Sequence, residues 1–171
     1  LLETGYEQVS MRMFQRHATI GGPAYCCQAD GMIGLGCGAR SYVRRLHYSR
    51  EYAVRSRNVA DILASYVRRD HEDFGRVEHG FQLDAVEQRP RLLILSLLQA
   101  SGVDRAHYAR RFGGDVLDDF PQLVGLVERG LADIDSDRFK LTPQGLERSD
   151  AIGPWLYSAG VLERMEAYSW R

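Results

Sequence analysis

Hydrophobic and polar positions follow different periods in different stretches of the chain, and the changes of period mark its organisation. Glu7-Gln-Val-Ser-Met-Arg-Met-Phe14 alternates, the pattern of a half-buried strand. Ile20-Gly-Gly-Pro23 interrupts it with a turn signal. Gly31-Met-Ile-Gly-Leu-Gly-Cys-Gly-Ala39 is short, apolar and built of small residues, so it reads as a strand, or a strand passing into a loop, where backbone lies close to something. Residues 42–57 are rich in Arg and Tyr and have no clean period.

From Asn58 the period becomes helical. Asn58 is placed to cap a helix whose Ile62, Leu63, Tyr66 and Val67 form one apolar face. Asp84 and Glu87 resemble a capping pair ahead of a helix over Leu92 to Ala100, with Pro90 tolerable only in the first turn. Gly102 ends that helix. Asp104 to Phe112 predicts a short helix closed by Gly113 and Gly114. Phe120, Leu123, Leu126 and Val127 predict another, ended by Gly130. Leu131-Ala-Asp-Ile134 and Arg138-Phe-Lys-Leu141 then predict a hairpin turned by Asp135-Ser-Asp137, and Thr142-Pro143 starts one more helix. Helices, a small hairpin and a further helix make a winged-helix-like order. A boundary falls near residues 75–85.

Composition narrows the function classes. The 171 residues are 44% hydrophobic and 26% charged, which suits a packed core. Lys+Arg 22 against Asp+Glu 23 leaves a net charge of -1, a poor match for a general polyanion binder. Lys140 is the sole lysine, and a GC-rich coding sequence accounts for that Arg bias more simply than phosphate recognition. No apolar run approaches the roughly 18 residues of a membrane span. Glu3, Glu7 and Arg12 break up any secretory core near the start, so the expected location is cytoplasmic, with no membrane partner. The start at Leu1 without Met suggests a truncated chain.

Little of the side-chain chemistry assembles into a catalytic pattern. Cys26 and Cys27 are adjacent and point apart on an extended chain. Neither they nor Cys37 form Cys-x-x-Cys, and His17 and His47 stand at no standard metal spacing from them. No metal site is expected. Gly34-Leu-Gly-Cys-Gly38 lacks the Gly-Lys-Ser/Thr end of a P-loop and the spacing of a dinucleotide fingerprint, so close packing of a strand explains its glycines best. The run Arg40, Arg44, Arg45, Arg50, Arg55 and Arg57, interleaved with Tyr42, Tyr48 and Tyr52, reads three ways: a carboxylate-binding pocket, a nucleic-acid surface or a solvated face. Only Arg40, beside the glycines, is promoted as a candidate. His47, His71, His79 and His107 have no visible Ser or Asp partner, so neither a triad nor a carboxylate pair is expected. Asp118, Asp119 and Glu128 give the presumptive reading helix an acidic character, which points to a structural or protein-facing role and away from nucleic acid.

Several segments resemble one family. Gly5-Tyr6-Glu7-Gln8-Val9-Ser10-Met11-x-Met13-Phe14, Tyr25-x-x-Gln28 and Gly34-Leu-Gly-x-x-Ala39-x-Ser41 are similar to the closing part of the catalytic domain of oxygen-independent coproporphyrinogen III oxidases. These are radical S-adenosylmethionine (SAM) enzymes, whose family also holds haem chaperones. Leu97-Leu98, Gly130-Leu131, Leu141-Thr142-x-x-Gly145 and Arg164-Met165-x-x-Tyr168-Ser169 resemble the family's C-terminal domain. The resemblance implies an α/β plus α fold: the last strands of a partial β/α, TIM-like radical SAM barrel (1–45), a connecting helical segment (46–84) and a helical, winged-helix-like C-terminal domain (85–171).

It also implies a [4Fe-4S] cluster held by a Cys-x-x-x-Cys-x-x-Cys loop and SAM on the remaining iron, cleaved to a radical that abstracts hydrogen from a tetrapyrrole-like or other small-molecule substrate. No such cysteine loop occurs here, so the resemblance implies cluster ligands on a missing N-terminal barrel portion, an inactive chain when alone, and no catalytic residue within it. By the same resemblance Gly36, Gly38, Ala39 and Arg40 border SAM, with Arg40 at the position that touches the adenine region, and Tyr25 and Gln28 stand on the substrate side. Arg40 and the Cys26-Cys27 pair depart from the best-known oxidases, which marks a side branch whose substrate need not be coproporphyrinogen. The alternatives are a haem-binding chaperone of the same family, or a winged-helix interaction or nucleic-acid module.

Overall fold

A computed structural model describes residues 2–16, 31–51 and 56–167. It divides into two compact units: Leu1–Pro23 with Arg89–Met165, and Ala24–Gln88 with Glu166–Arg171.

The first unit opens with β1 (Tyr6–Gln8) and β2 (Phe14–Arg16), antiparallel, with Glu7 opposite Gln15. The alternation over residues 7–14 predicts one strand. Instead the chain turns at Ser10–Arg12, where Val9 and Ser10 amides both donate to the Met13 carbonyl. Alternation fixes which side chains share a face but not where a ladder folds back on itself. The hairpin then joins the helical part: Ala100 N–H donates to the Val9 carbonyl at 2.8 Å, and Arg12 pairs with Asp150.

Helix α2 (Gln88–Leu97) begins four residues before the expected Leu92 and ends three before the expected Ala100, ahead of Gly102. Asp84 Oδ1 accepts from the Glu87 amide at 2.8 Å, and Pro90 falls in the first turn, where no helical donor is lost. Strand β6 (Val103–Asp104) leads into α3 (Arg105–Phe112). Asp104 caps it through the His107 amide at 2.7 Å, and Gly113, at φ 83°, closes it. Short helices α4 (Val116–Asp119) and α5 (Val124–Glu128) follow, joined by a 3-10 turn over Pro121–Leu123.

Strands β7 (Ala132–Ile134) and β8 (Arg138–Leu141) form the expected hairpin, and β6 adds to it in the order β6-β8-β7, all antiparallel. Asp135 Oδ1 accepts from the amides of Asp137 and Arg138 at 2.8 and 2.7 Å, which explains the sharp turn. Thr142 caps α6 (Pro143–Leu146), and α7 (Ser149–Trp155) and α8 (Ala159–Ala167, as far as Met165 in this unit) follow. Thirteen buried residues between Leu93 and Leu156 make its core, with Leu93, Leu97, Val103, Tyr108, Val116, Leu123 and Phe139 fully enclosed.

The second unit is a sheet of β3 (Arg40–Val43), β4 (Leu46–Ser49) and β5 (His79–Gln82) in that order, antiparallel throughout. Residues 42–57 showed no period because they hold the end of β3, a turn at Arg44–Arg45, all of β4 and the start of a helix. That helix, α1, spans Ser56–Val67, so it begins two residues before Asn58. The face named for it is only partly covered: Ile62 and Tyr66 are half-buried, while Leu63 and Val67 are exposed. Every ladder among the described residues is antiparallel.

Candidate functional site

Glycine chemistry shapes the approach to β3. Met32 bridges Tyr42, the two exchanging backbone hydrogen bonds at 2.9 and 2.8 Å, so the loop first runs along the free edge of β3. At Gly34 a Cβ would stand 2.3 Å from the Arg40 carbonyl oxygen, a distance no side chain tolerates, and the Gly34 amide donates to Ser41 Oγ at 3.0 Å. Close packing therefore explains Gly34, as its sequence context suggested. Gly36 is explained differently. Nothing lies near its missing side chain, but its φ is 101°, so conformation and not space demands glycine there. The Ala39 amide returns to the Gly36 carbonyl at 3.3 Å and closes the turn.

This turn brings Gly36, Gly38, Ala39 and Arg40 together, four of the six residues singled out from sequence. Arg40 is exposed at the start of β3. Tyr25 and Gln28 lie outside the described residues, as do Cys26, Cys27 and His17. Cys37, in the same turn, is half-buried with a free thiol. Among the described residues no three His, Cys, Asp or Glu side chains gather where they could hold a metal ion. They do not provide the donors of an iron-sulfur cluster, and no chemistry is assigned through one.

Sequence reasoning promoted Arg40 but passed over its neighbours. Register sets Tyr42 opposite His47, with ring centroids 4.9 Å apart and edge to face. His47 in turn stands opposite Phe81, and Ser49 opposite His79. Together with Arg40 they line an open groove of 280 Å³ within the second unit. The readable signal was the spacing Arg40-x-Tyr42, His47-x-Ser49 and His79-x-Phe81, which becomes informative only once the strands are paired.

Arg50 of the run, and Arg69 outside it, fasten other parts of the second unit. Arg50 reaches the carbonyls of Asp73 and Phe74 and lies over the Phe74 ring at 5.2 Å, and Arg69 binds Glu78 with both terminal nitrogens. The Arg69 guanidinium holds the Glu78 carboxyl below the usual carboxylate range. These are fastenings of the second unit. In the first unit Arg89 and Tyr108 both donate to Asp119, the Tyr108 hydroxyl at 2.6 Å, so one acid of the presumptive reading helix is engaged internally.

A mixed α/β chain of small antiparallel sheets, its larger unit closing a helical core, is the class of structure these elements define. Residues 83–147 match the family model of the HemN C-terminal domain. That match supports the resemblance to the HemN-like family, in its C-terminal portion. Among solved structures the chain is similar to a coproporphyrinogen III oxidase (HemN) from Escherichia coli, described as a radical SAM enzyme. The identity is 18% and the TM-score 0.64 over 91% of this chain and 38% of that one, a likeness of fold. The chain thus spans little more than a third of the length of the enzyme it matches. Among curated proteins none matches. No helix among the described residues is long and apolar enough to cross a membrane.

Proposed function

We propose that this chain is the C-terminal part of a radical SAM oxidoreductase of the coproporphyrinogen oxidase type, acting on a tetrapyrrole-like or other small-molecule substrate in the cytoplasm. The observation that carries the reading is the reach of the structural likeness. It extends over 91% of the chain, well beyond the residues 83–147 of the family match. Residues 1–45 then supply the last strands of the barrel, an assignment that rests on this likeness and not on any parallel ladder. Residues 85–171 supply a helical, winged-helix-like domain, supported by the strand order β6-β8-β7 with α2 and α3 flanking β6.

In this reading the turn Gly36–Arg40 is one wall of the SAM site. Two features suit it: glycine leaves the turn's surface open at Gly36, and Arg40 is exposed at its end. SAM held against this wall would supply the radical chemistry. This chain's part is to shape the wall and place a guanidinium beside it, where Arg stacks on a flat base or pairs with a carboxylate. Tyr25 and Gln28 are carried forward as substrate-side residues.

Anaerobic reconstitution of the complete protein with iron and sulfide, followed by reductant and SAM, tests the reading. Methionine and deoxyadenosine are expected from it, and none from residues 1–171 alone. Arg40→Ala should weaken SAM binding about tenfold, the loss of one charge-assisted contact. Absence of a Cys-x-x-x-Cys-x-x-Cys loop upstream in the same gene would sink it. Coproporphyrinogen turnover against haem titration separates an oxidase from a haem chaperone.

A further inference from the structure

We draw no further inference here: the strongest candidate, the exposed apolar stripe of Val59, Leu63 and Val67 along α1 of the second unit, carries none because nothing in the structure shows what covers it.

Discussion

Two glycines separate conformation from space. Gly113 closes α3 at φ 83° with nothing near its missing side chain, so Gly113→Ala carries only the left-handed backbone cost, about 1–2 kcal/mol. Gly102 has a similar φ of 68°, but a Cβ there would meet the Phe139 carbonyl oxygen at 2.4 Å and Lys140 Cβ at 2.5 Å. Gly102→Ala adds a clash between chain segments to the same strain and should cost about 3 kcal/mol or more, read from urea midpoints. Tyr108 makes a different point. Burial first, and then its bond to Asp119, hold the hydroxyl above the ordinary tyrosine range. Its neutral form is therefore favoured in the folded state. That contribution is complete below a pH of about 10 and is lost as pH rises from there through the raised value, because the unfolded chain releases the proton first. Stability should fall in that alkaline window, and less steeply in Tyr108→Phe. At neutral pH the same variant should cost about 1–2 kcal/mol by leaving Asp119 short of a donor.

Elements were legible where their signals were local. Asp104 at one end of α3 and Gly113 at the other, the Asp135-Ser-Asp137 turn and the Thr142-Pro143 start of α6 each act within a few residues, and each stands where the sequence puts it. The β3–β4 hairpin left no such mark. Its turn is Arg44–Arg45, without Gly or Asn, and its third strand, β5, comes thirty residues later. Hence the glycine turn of the candidate site was readable from sequence, while the His47, His79 and Phe81 side of the groove was not. The β7–β8 turn offers a test at this scale. Two backbone amides hold the Asp135 carboxyl below its ordinary range, so its support is present at neutral pH and fades as acid protonates it. Asp135→Ala should be less stable than wild type at pH 7, and the gap should narrow as pH falls below about 4, measured by thermal unfolding.

At the scale of the molecule the two units differ in what holds them. The thirteen-residue core lies wholly in the first, whereas among the described residues of the second only Leu83 is a buried hydrophobic, beside buried Ser41. Apolar burial is the dominant stabilising term, so local opening should be easier in the second. Hydrogen exchange should run faster at the β3–β5 amides than at Val103, Phe139 and Leu141. If the β3–β5 amides proved as protected as the helical core, this account of the second unit would be wrong. The first unit is also discontinuous, since β1–β2 pairs with residues near Gln99 and Ala100 while the second unit occupies the sequence between them. Synthesis on a ribosome makes that a matter of time. Val9 leaves the exit tunnel 91 residues ahead of Ala100, the donor to its carbonyl. At 5–20 residues per second the hairpin waits about 5–18 s for its partner. In that interval the intervening segment is the part free to fold, so the later-made Arg89–Met165 completes the structure that the earlier-made hairpin begins.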